Sequence, residues 1–486
     1  MPSFAAARGS RASSSLRRFA VHLRSPFKSP LTSLRALRLA AARTAALAAS
    51  VVLAACGGGS YDDNISTGTC SQVDQKDWLG AYMNDWYFWY RLSPRPNPAG
   101  YANVQDYYRA LLYTGTDVNF PADLFSRSES TESFNRFFGD GMTMGYGVAV
   151  NGFEVVSGRP LFVRYVEPAS DAAVKGVVRG DEVLAINGRT AAELILANDY
   201  SVLTAAQAGQ LLTLQLRRAG VTRTVVVEAK VYNLTPVSGA RVVTTPNGRV
   251  MGYVAVKDMI SQANAGLDSA FALFRNQGVQ ELVVDMRYNG GGLVSVGATL
   301  ASYIAGGRGL SGGAPRVYTS LLYNDKRAAS NNQTFRFENR ANALGIARVY
   351  LLTGPRTASA SEQVINGLRG VDVQVISVGD TTFGKPVGSL PVDNCGTTYS
   401  AINFESANAK SEGRFFDGFD ASCPVAEDFT LAAGALNDPL LVSAAHHADN
   451  GVCPVIAAAK PQLGRAEKTA QRRAWLIDER ESMLPR

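Results

Sequence analysis

The change in hydrophobic period along the chain is the feature that most limits how it can fold. From Arg249 onward, strand-like apolar runs alternate with helix-like ones, a pattern that requires a layered α/β domain. Val250-Met-Gly-Tyr-Val-Ala-Val256 and Glu281-Leu-Val-Val-Asp-Met286 read as strands, with a helix over Ala263 to Gln277 between them. Ala347 to Thr353 reads as a strand, Ser361 to Leu368 as a helix and Val371 to Val378 as a strand. Upstream, from Gly145 to about Tyr232, the period shortens to β-rich runs: Tyr146 to Val150, Leu161 to Val166, Glu182 to Ile186, Leu212 to Leu216 and Thr224 to Glu228, with Asn187-Gly188 as a turn. Earlier still, Gln75 to Leu92 places aromatic and aliphatic residues at helical spacing until Pro94 and Pro96 stop it. Such a stripe is the face of a packed helix rather than a binding platform.

Charge sets the next limit. Nine Lys/Arg and no Asp/Glu precede the uncharged stretch Thr44 to Ala55, a positive n-region and an apolar h-region of signal-peptide length, too short to span a bilayer comfortably. Taking those nine positive charges from the whole chain's +7 leaves about −2, so no nucleic-acid footprint remains beyond the targeting segment. Four cysteines follow Cys56, namely Cys70, Cys395, Cys423 and Cys453, which in an oxidising compartment form two disulfides with three possible connectivities. Their spacing is unlike a metal knuckle, and the only histidines in this part are the neighbours His446 and His447, so no metal and no cofactor is expected.

Three loops carry the chemistry, each at the C-terminal end of a predicted strand, where open α/β sheets place their sites. They are Asp285-Met-Arg-Tyr-Asn-Gly290-Gly291-Gly292, Thr357-Ala-Ser359-Ala360-Ser-Glu362 and Thr381-Thr-Phe-Gly-Lys385. A serine hydroxyl needs a base to take its proton, and a lysine amine can serve only where burial lowers its pKa from about 10.4. Acyl transfer also needs preorganised donors for the oxyanion, which a glycine turn and the N–H after the nucleophile can supply. A Ser-His-Asp triad would have to use His446 or His447, outside all three loops; a Ser-Lys arrangement does not. The bland reading of the same residues is a capping box, Ser359-x-x-Glu362, on the following helix, with Lys385 a solvated loop residue.

Taken together and in this order, the loops resemble the carboxyl-terminal processing, or tail-specific, serine peptidases: Ala-Ser-Ala-Ser-Glu, then Thr-Phe-Gly-Lys, with Asp-x-Arg-x-Asn-x-Gly-Gly upstream. The resemblance spans about Gly145 to Pro439 and implies Ser359 as nucleophile, Lys385 as general base, and the N–H groups of Gly291 and Ala360 as the oxyanion hole. Many members carry Gln or Glu four residues after the lysine; here Ser389 stands there, so either its hydroxyl orients Lys385, or other groups do, or activity is weaker. The β-rich segment resembles a PDZ domain, whose Gly145-Tyr146-Gly147-Val148 turn would receive a peptide's C-terminal carboxylate. Leu53-Ala-Ala-Cys56 resembles a bacterial lipobox, which implies lipid attachment at Cys56.

The expected architecture is therefore a multidomain α/β (α+β) protein. It comprises a lipoprotein signal peptide (1–55), a leash (56–74), a small N-terminal helical region (75–140), a PDZ-like domain (141–232), a catalytic core resembling the crotonase-like fold of the tail-specific peptidases (233–455) and a charged tail (456–486), helical or disordered. The expected partners are polypeptide substrates, met through their C-termini, and a membrane reached through the lipid at Cys56, with no nucleic acid. The expected location is the bacterial envelope, on the outer membrane facing the periplasm. Two other readings share these residues: a catalytically silent peptide-binding PDZ lipoprotein, and an acyl-transfer enzyme for small esters or amides.

Overall fold

A computed structural model describes residues 69–152, 159–455 and 482–485; the signal segment, Cys56 and most of the charged tail lie outside the described residues. At its centre is a six-stranded sheet in the order Val237–Thr244, Val250–Val256, Glu281–Asp285, Arg348–Thr353, Gln374–Gly379 and Cys423–Pro424. The first pair is antiparallel and every later pair parallel. Parallel strands need crossovers, supplied by the helices Ala263–Asn276, Val294–Ala305 and Ala360–Gly370. Glu281–Asp285 is buried at every position, as befits a strand covered on both faces. The helix Pro439–Asn450 packs against these strands, its Leu440, Leu441 and Ala444 joining Val283, Leu352 and Val378 in one apolar cluster. A second, antiparallel sheet of Gln333–Arg336, Val317–Tyr323, Phe404–Ala407 and Val387–Gly388 packs against the helix Ala360–Gly370.

The predicted aromatic helix runs Gln72–Trp86 and stops ten residues before Pro96, because Tyr87 turns extended, with its amide bonded to the Met83 carbonyl. Trp78, Tyr82 and Trp86 are buried, so the stripe is core. The disulfide Cys70–Cys395 ties the start of this helix to the catalytic region, and Cys423–Cys453 ties the last strand of the central sheet to the end of the helix Pro439–Asn450. That pairing selects one of the three connectivities.

The β-rich segment builds its own sheet, Val148–Val150, Leu161–Val166, Glu182–Ile186, Leu211–Arg218 and Val221–Glu228, over the short helix Ala191–Ala197. Asn187 (φ 47°) and Gly188 (φ 82°) make the expected tight turn. Of the charged tail only residues 482–485 are described, and Ser482–Leu484 form a strand instead of a helix. Among the described residues no helix is long and apolar enough to cross a membrane.

Candidate active site

All three motif loops leave the same edge of the central sheet, because Glu281–Asp285, Arg348–Thr353 and Gln374–Gly379 are adjacent and parallel. Main-chain and side-chain bonds then lock them together. The Asn289 carbonyl accepts from Ala358 N (3.0 Å) and from Ser361 Oγ (2.9 Å), and the Met286 carbonyl accepts from Thr357 Oγ1 (2.8 Å), which joins the first loop to the second. Phe383 N donates to the Thr357 carbonyl (2.9 Å), joining the third loop to the second.

Ser359 ends the second loop with its backbone at φ 63°, ψ −118°, a region that costs a non-glycine residue about 1–3 kcal/mol and that persists only where the surroundings enforce it. What enforces it is Glu362. Its carboxylate accepts from Ser359 N (2.9 Å) and Lys385 N (2.8 Å) on Oε2, and from Thr382 Oγ1 (2.6 Å) and Gly384 N (2.6 Å) on Oε1. Burial pushes the Glu362 carboxyl above the ordinary carboxylate range, against the pull of those four donors. Ser359 and Glu362 are placed as a capping box, yet Ser359 Oγ is buried and, among the described residues, makes no hydrogen bond. The side chain that a helix cap would engage is thus left to the site.

Lys385 is 3% exposed, its Nζ 5.9 Å from the centre of the Phe125 ring. Ala360 is fully buried and is the first residue of the helix Ala360–Gly370, where backbone N–H groups have no partner within the helix. Gly291 N donates to Asn289 Oδ1 (2.9 Å), so in this arrangement that donor is engaged by its own loop. Gly292 adopts φ 137°, and a Cβ there would lie 2.2 Å from the Met259 carbonyl oxygen, so only glycine fits the turn. Ser389 is buried just past the strand Val387–Gly388, and no hydrogen bond of its hydroxyl is found among the described residues. His447 sits elsewhere, its Nδ1 3.2 Å from Tyr350 Oη.

The β-rich segment reaches this site through Arg179, which donates to Tyr288 Oη (2.6 Å), Glu427 Oε1 (2.8 Å) and the Leu431 carbonyl (2.6 Å). Tyr288 directly precedes Asn289 in the glycine loop, and Arg287 beside it is clamped by Asp285 and Asp438 (2.6 Å). In the segment itself, Tyr146 is buried, Gly145 closes the strand Met142–Gly145 and Val148 opens the next. Gly147 (φ 74°) leaves no room for a side chain, because its Cβ would lie 2.0 Å from that of Ser170. Among the described residues, the one cluster with the makings of a metal site is Cys423, Cys453 and His447, whose two thiols are joined in a disulfide.

Two residues that matter here were not singled out for chemistry in the sequence. Glu362 is legible as a cap and as the end of a motif, and Asn289 as part of a motif; the partners that join the loops, Lys385 N for Glu362 and Ala358 N for Asn289, lie on other loops.

Residues 250–412 match peptidase family S41, and residues 74–127 match the N-terminal domain of S41 peptidases. The chain is 28% identical over 268 residues to the chloroplastic carboxyl-terminal-processing peptidase 1 of Arabidopsis thaliana, covering 54% of this chain and 51% of that one. It is 25% identical over 247 residues to a carboxyl-terminal-processing protease of Picosynechococcus sp., covering 49% and 55%. The chain thus spans about half the length of these curated relatives. Its fold is shared with an S41 protease of Bacteroides fragilis, at TM-score 0.59 and 23% identity, over 77% of this chain and 97% of that one. Residues 250–412 are thus a peptidase family S41 domain, preceded at residues 74–127 by an S41 N-terminal domain, and the chain is similar over about half its length to carboxyl-terminal-processing peptidases.

Proposed function

We propose that the protein is an envelope serine endopeptidase that cleaves unfolded or C-terminally recognised proteins through a Ser359–Lys385 dyad. The observation that carries the reading is the Glu362 carboxylate, which binds the main chain of the nucleophile loop and of the lysine loop at one point. In the reaction the neutral Lys385 amine takes the Ser359 Oγ proton while Oγ attacks the scissile carbonyl. The oxyanion is stabilised by Ala360 N–H, at a helix N-terminus, and by an N–H of the glycine turn; Gly291 serves once Asn289 Oδ1 releases it. The Lys385 ammonium then protonates the leaving amine, and water, activated by the same amine, hydrolyses the ester to regenerate Ser359.

Recruitment through C-termini rests on Gly145-Tyr146-Gly147-Val148, which leads into Val148–Val150, an edge strand of the β-rich sheet to which an extended peptide could pair. The envelope location rests on the lipobox-like Leu53-Ala-Ala-Cys56 and agrees with two disulfides, which persist in oxidising compartments. A second reading, a catalytically silent peptide-binding lipoprotein, draws on the engaged Gly291 N–H and on Ser389, whose hydroxyl has no hydrogen bond to Lys385 among the described residues. Cleavage of an unfolded protein, together with phosphonate labelling of Ser359, separates the two. Ser359→Ala and Lys385→Ala are expected to abolish cleavage with circular dichroism unchanged. Full activity in both variants overturns the dyad, and an unlabelled protein that still binds C-terminal peptides establishes the silent form.

A further inference from the structure

The strand Ser482–Leu484 belongs to none of the motifs, yet it meets the glycine turn and the elements that follow the other two loops. It pairs in parallel with Gly291–Leu293, placing Ser482 opposite Gly291, Met483 opposite Gly292 and Leu484 opposite Leu293. It also packs against the helix that opens at Ala360 and against Val387–Gly388. The first of these elements is the glycine turn, the second follows the nucleophile, and the third begins two residues after the lysine. Leu484 is 1% exposed and belongs to the same apolar cluster as Leu293, Val364 and Val387. Pro485 after it is also buried.

A polypeptide substrate has to cross the same ground. Its scissile carbonyl must come within reach of the nucleophile, the base and the oxyanion donors together; Gly291 lies on the turn that Ser482–Leu484 pairs with, Ala360 opens the helix it packs against, and Ser359 and Lys385 lie one and two residues before the other two elements it touches. Extended peptides are held at such an edge by main-chain pairing, with pockets for alternate side chains. The turn Gly291–Leu293 is the free edge available for this, and it is taken by the chain itself. Two strands cannot pair with one edge at once.

We propose that Ser482–Leu484 occupies the substrate strand of the site as an intramolecular competitor. Leu484 fills the pocket that an apolar substrate residue takes, and a substrate enters only when this strand leaves. The proposal rests on the Ser359–Lys385 reading for what the groove serves.

The test uses full-length chains carrying Ser359→Ala, so that nothing is cut, with and without a second substitution, Leu484→Asp. A fluorescein-labelled peptide of the sequence Arg-Glu-Ser-Met-Leu-Pro-Arg, residues 480–486, is titrated against each and followed by fluorescence anisotropy. The peptide is expected to bind the double variant at least about tenfold more tightly than the single one, about 1.4 kcal/mol. Met483→Pro, which breaks strand pairing without adding charge, is expected to act as Leu484→Asp does. Equal affinity for all three proteins, or binding to none, overturns the proposal. Neither readout needs bond cleavage, so a failure of the dyad would appear separately, as wild-type protein that leaves an unfolded substrate intact.

Discussion

Replacing Glu362 with glutamine asks whether one carboxylate holds nucleophile and base in register. Each of its oxygens accepts two bonds, Thr382 Oγ1 and Gly384 N on one, Ser359 N and Lys385 N on the other. Glutamine keeps one accepting oxygen and puts a donating NH2 in place of the other. With the carbonyl kept toward Ser359 and Lys385, the NH2 confronts the Gly384 N–H while the Thr382 hydroxyl turns to accept. One charge-assisted bond, worth about 1.5–3 kcal/mol, is then lost, and the surviving ones weaken toward about 1 kcal/mol each. The neutral side chain escapes the burial cost that the carboxylate carries, which offsets part of this loss, so the ordered site should be disfavoured by about 2–4 kcal/mol, a fall in kcat of roughly 30- to 1000-fold. Because Glu362 acts by positioning, the loss should fall on kcat, with KM for an unfolded protein little changed. The pH profile gives an independent sign. Burial pushes the wild-type carboxyl up, so the carboxylate that the site needs is lost as pH falls, at higher pH than for an ordinary glutamate; E362Q should lack that acid limb. Steady-state cleavage from pH 4 to 9, with thermal melts at each pH to separate unfolding from inactivity, is the assay. A folded E362Q with kcat within about threefold of wild type, less than 1 kcal/mol, would refute the reasoning.

Arg179→Ala removes the donor that ties the β-rich segment to Tyr288 and Glu427 and should lower cleavage about tenfold at unchanged far-ultraviolet circular dichroism; unchanged kcat would show that this contact does not position the glycine loop. Cys70→Ser with Cys395→Ser should cost about 2–5 kcal/mol, seen as a lower urea midpoint, and an unaltered midpoint would mean that the bridge constrains nothing. In the β-rich segment, Glu228 N–H and Lys230 hold the Asp171 carboxyl below the ordinary range, and Ser201 and Arg189 hold Asp199 down to about 2. Depressed carboxyls contribute stability that is full above the unfolded value of about 3.9 and is lost as pH falls through the folded value, so the melting-temperature advantage of wild type over Asp171→Asn with Asp199→Asn should hold from pH 7 to 5 and shrink below about pH 4. An advantage that grows on acidification contradicts this assignment.

Much of the layered core is local information. The strand expected over Val250–Val256 is a strand over those residues, the helix expected from Ala263 ends at Asn276 instead of Gln277, and the strand expected from Val371 begins only at Gln374, because Val371 and Asp372 finish the turn out of the preceding helix. Side-chain period reports which face is buried, and it is set within a few residues. The S41 motifs are legible for a similar reason, since each is a short run on one loop.

The remaining features are long-range, and no local pattern carries them. Which cysteine meets which depends on how the N-terminal helix packs onto residues more than 300 positions away. In the sequence, Ser359-x-x-Glu362 is a helix cap; in the fold the cap is half made, and the carboxylate turns to the loop of Lys385. The charged run after residue 456 has no strand period, yet Ser482–Leu484 finds an edge at Gly291–Leu293 and becomes one. Sequence by itself determined the elements, the order of the three loops and the residue types that can do acyl transfer. Tertiary structure decided which backbone groups those residues meet, because an unpaired N–H or strand edge is satisfied by whatever the fold brings near, at any distance along the chain.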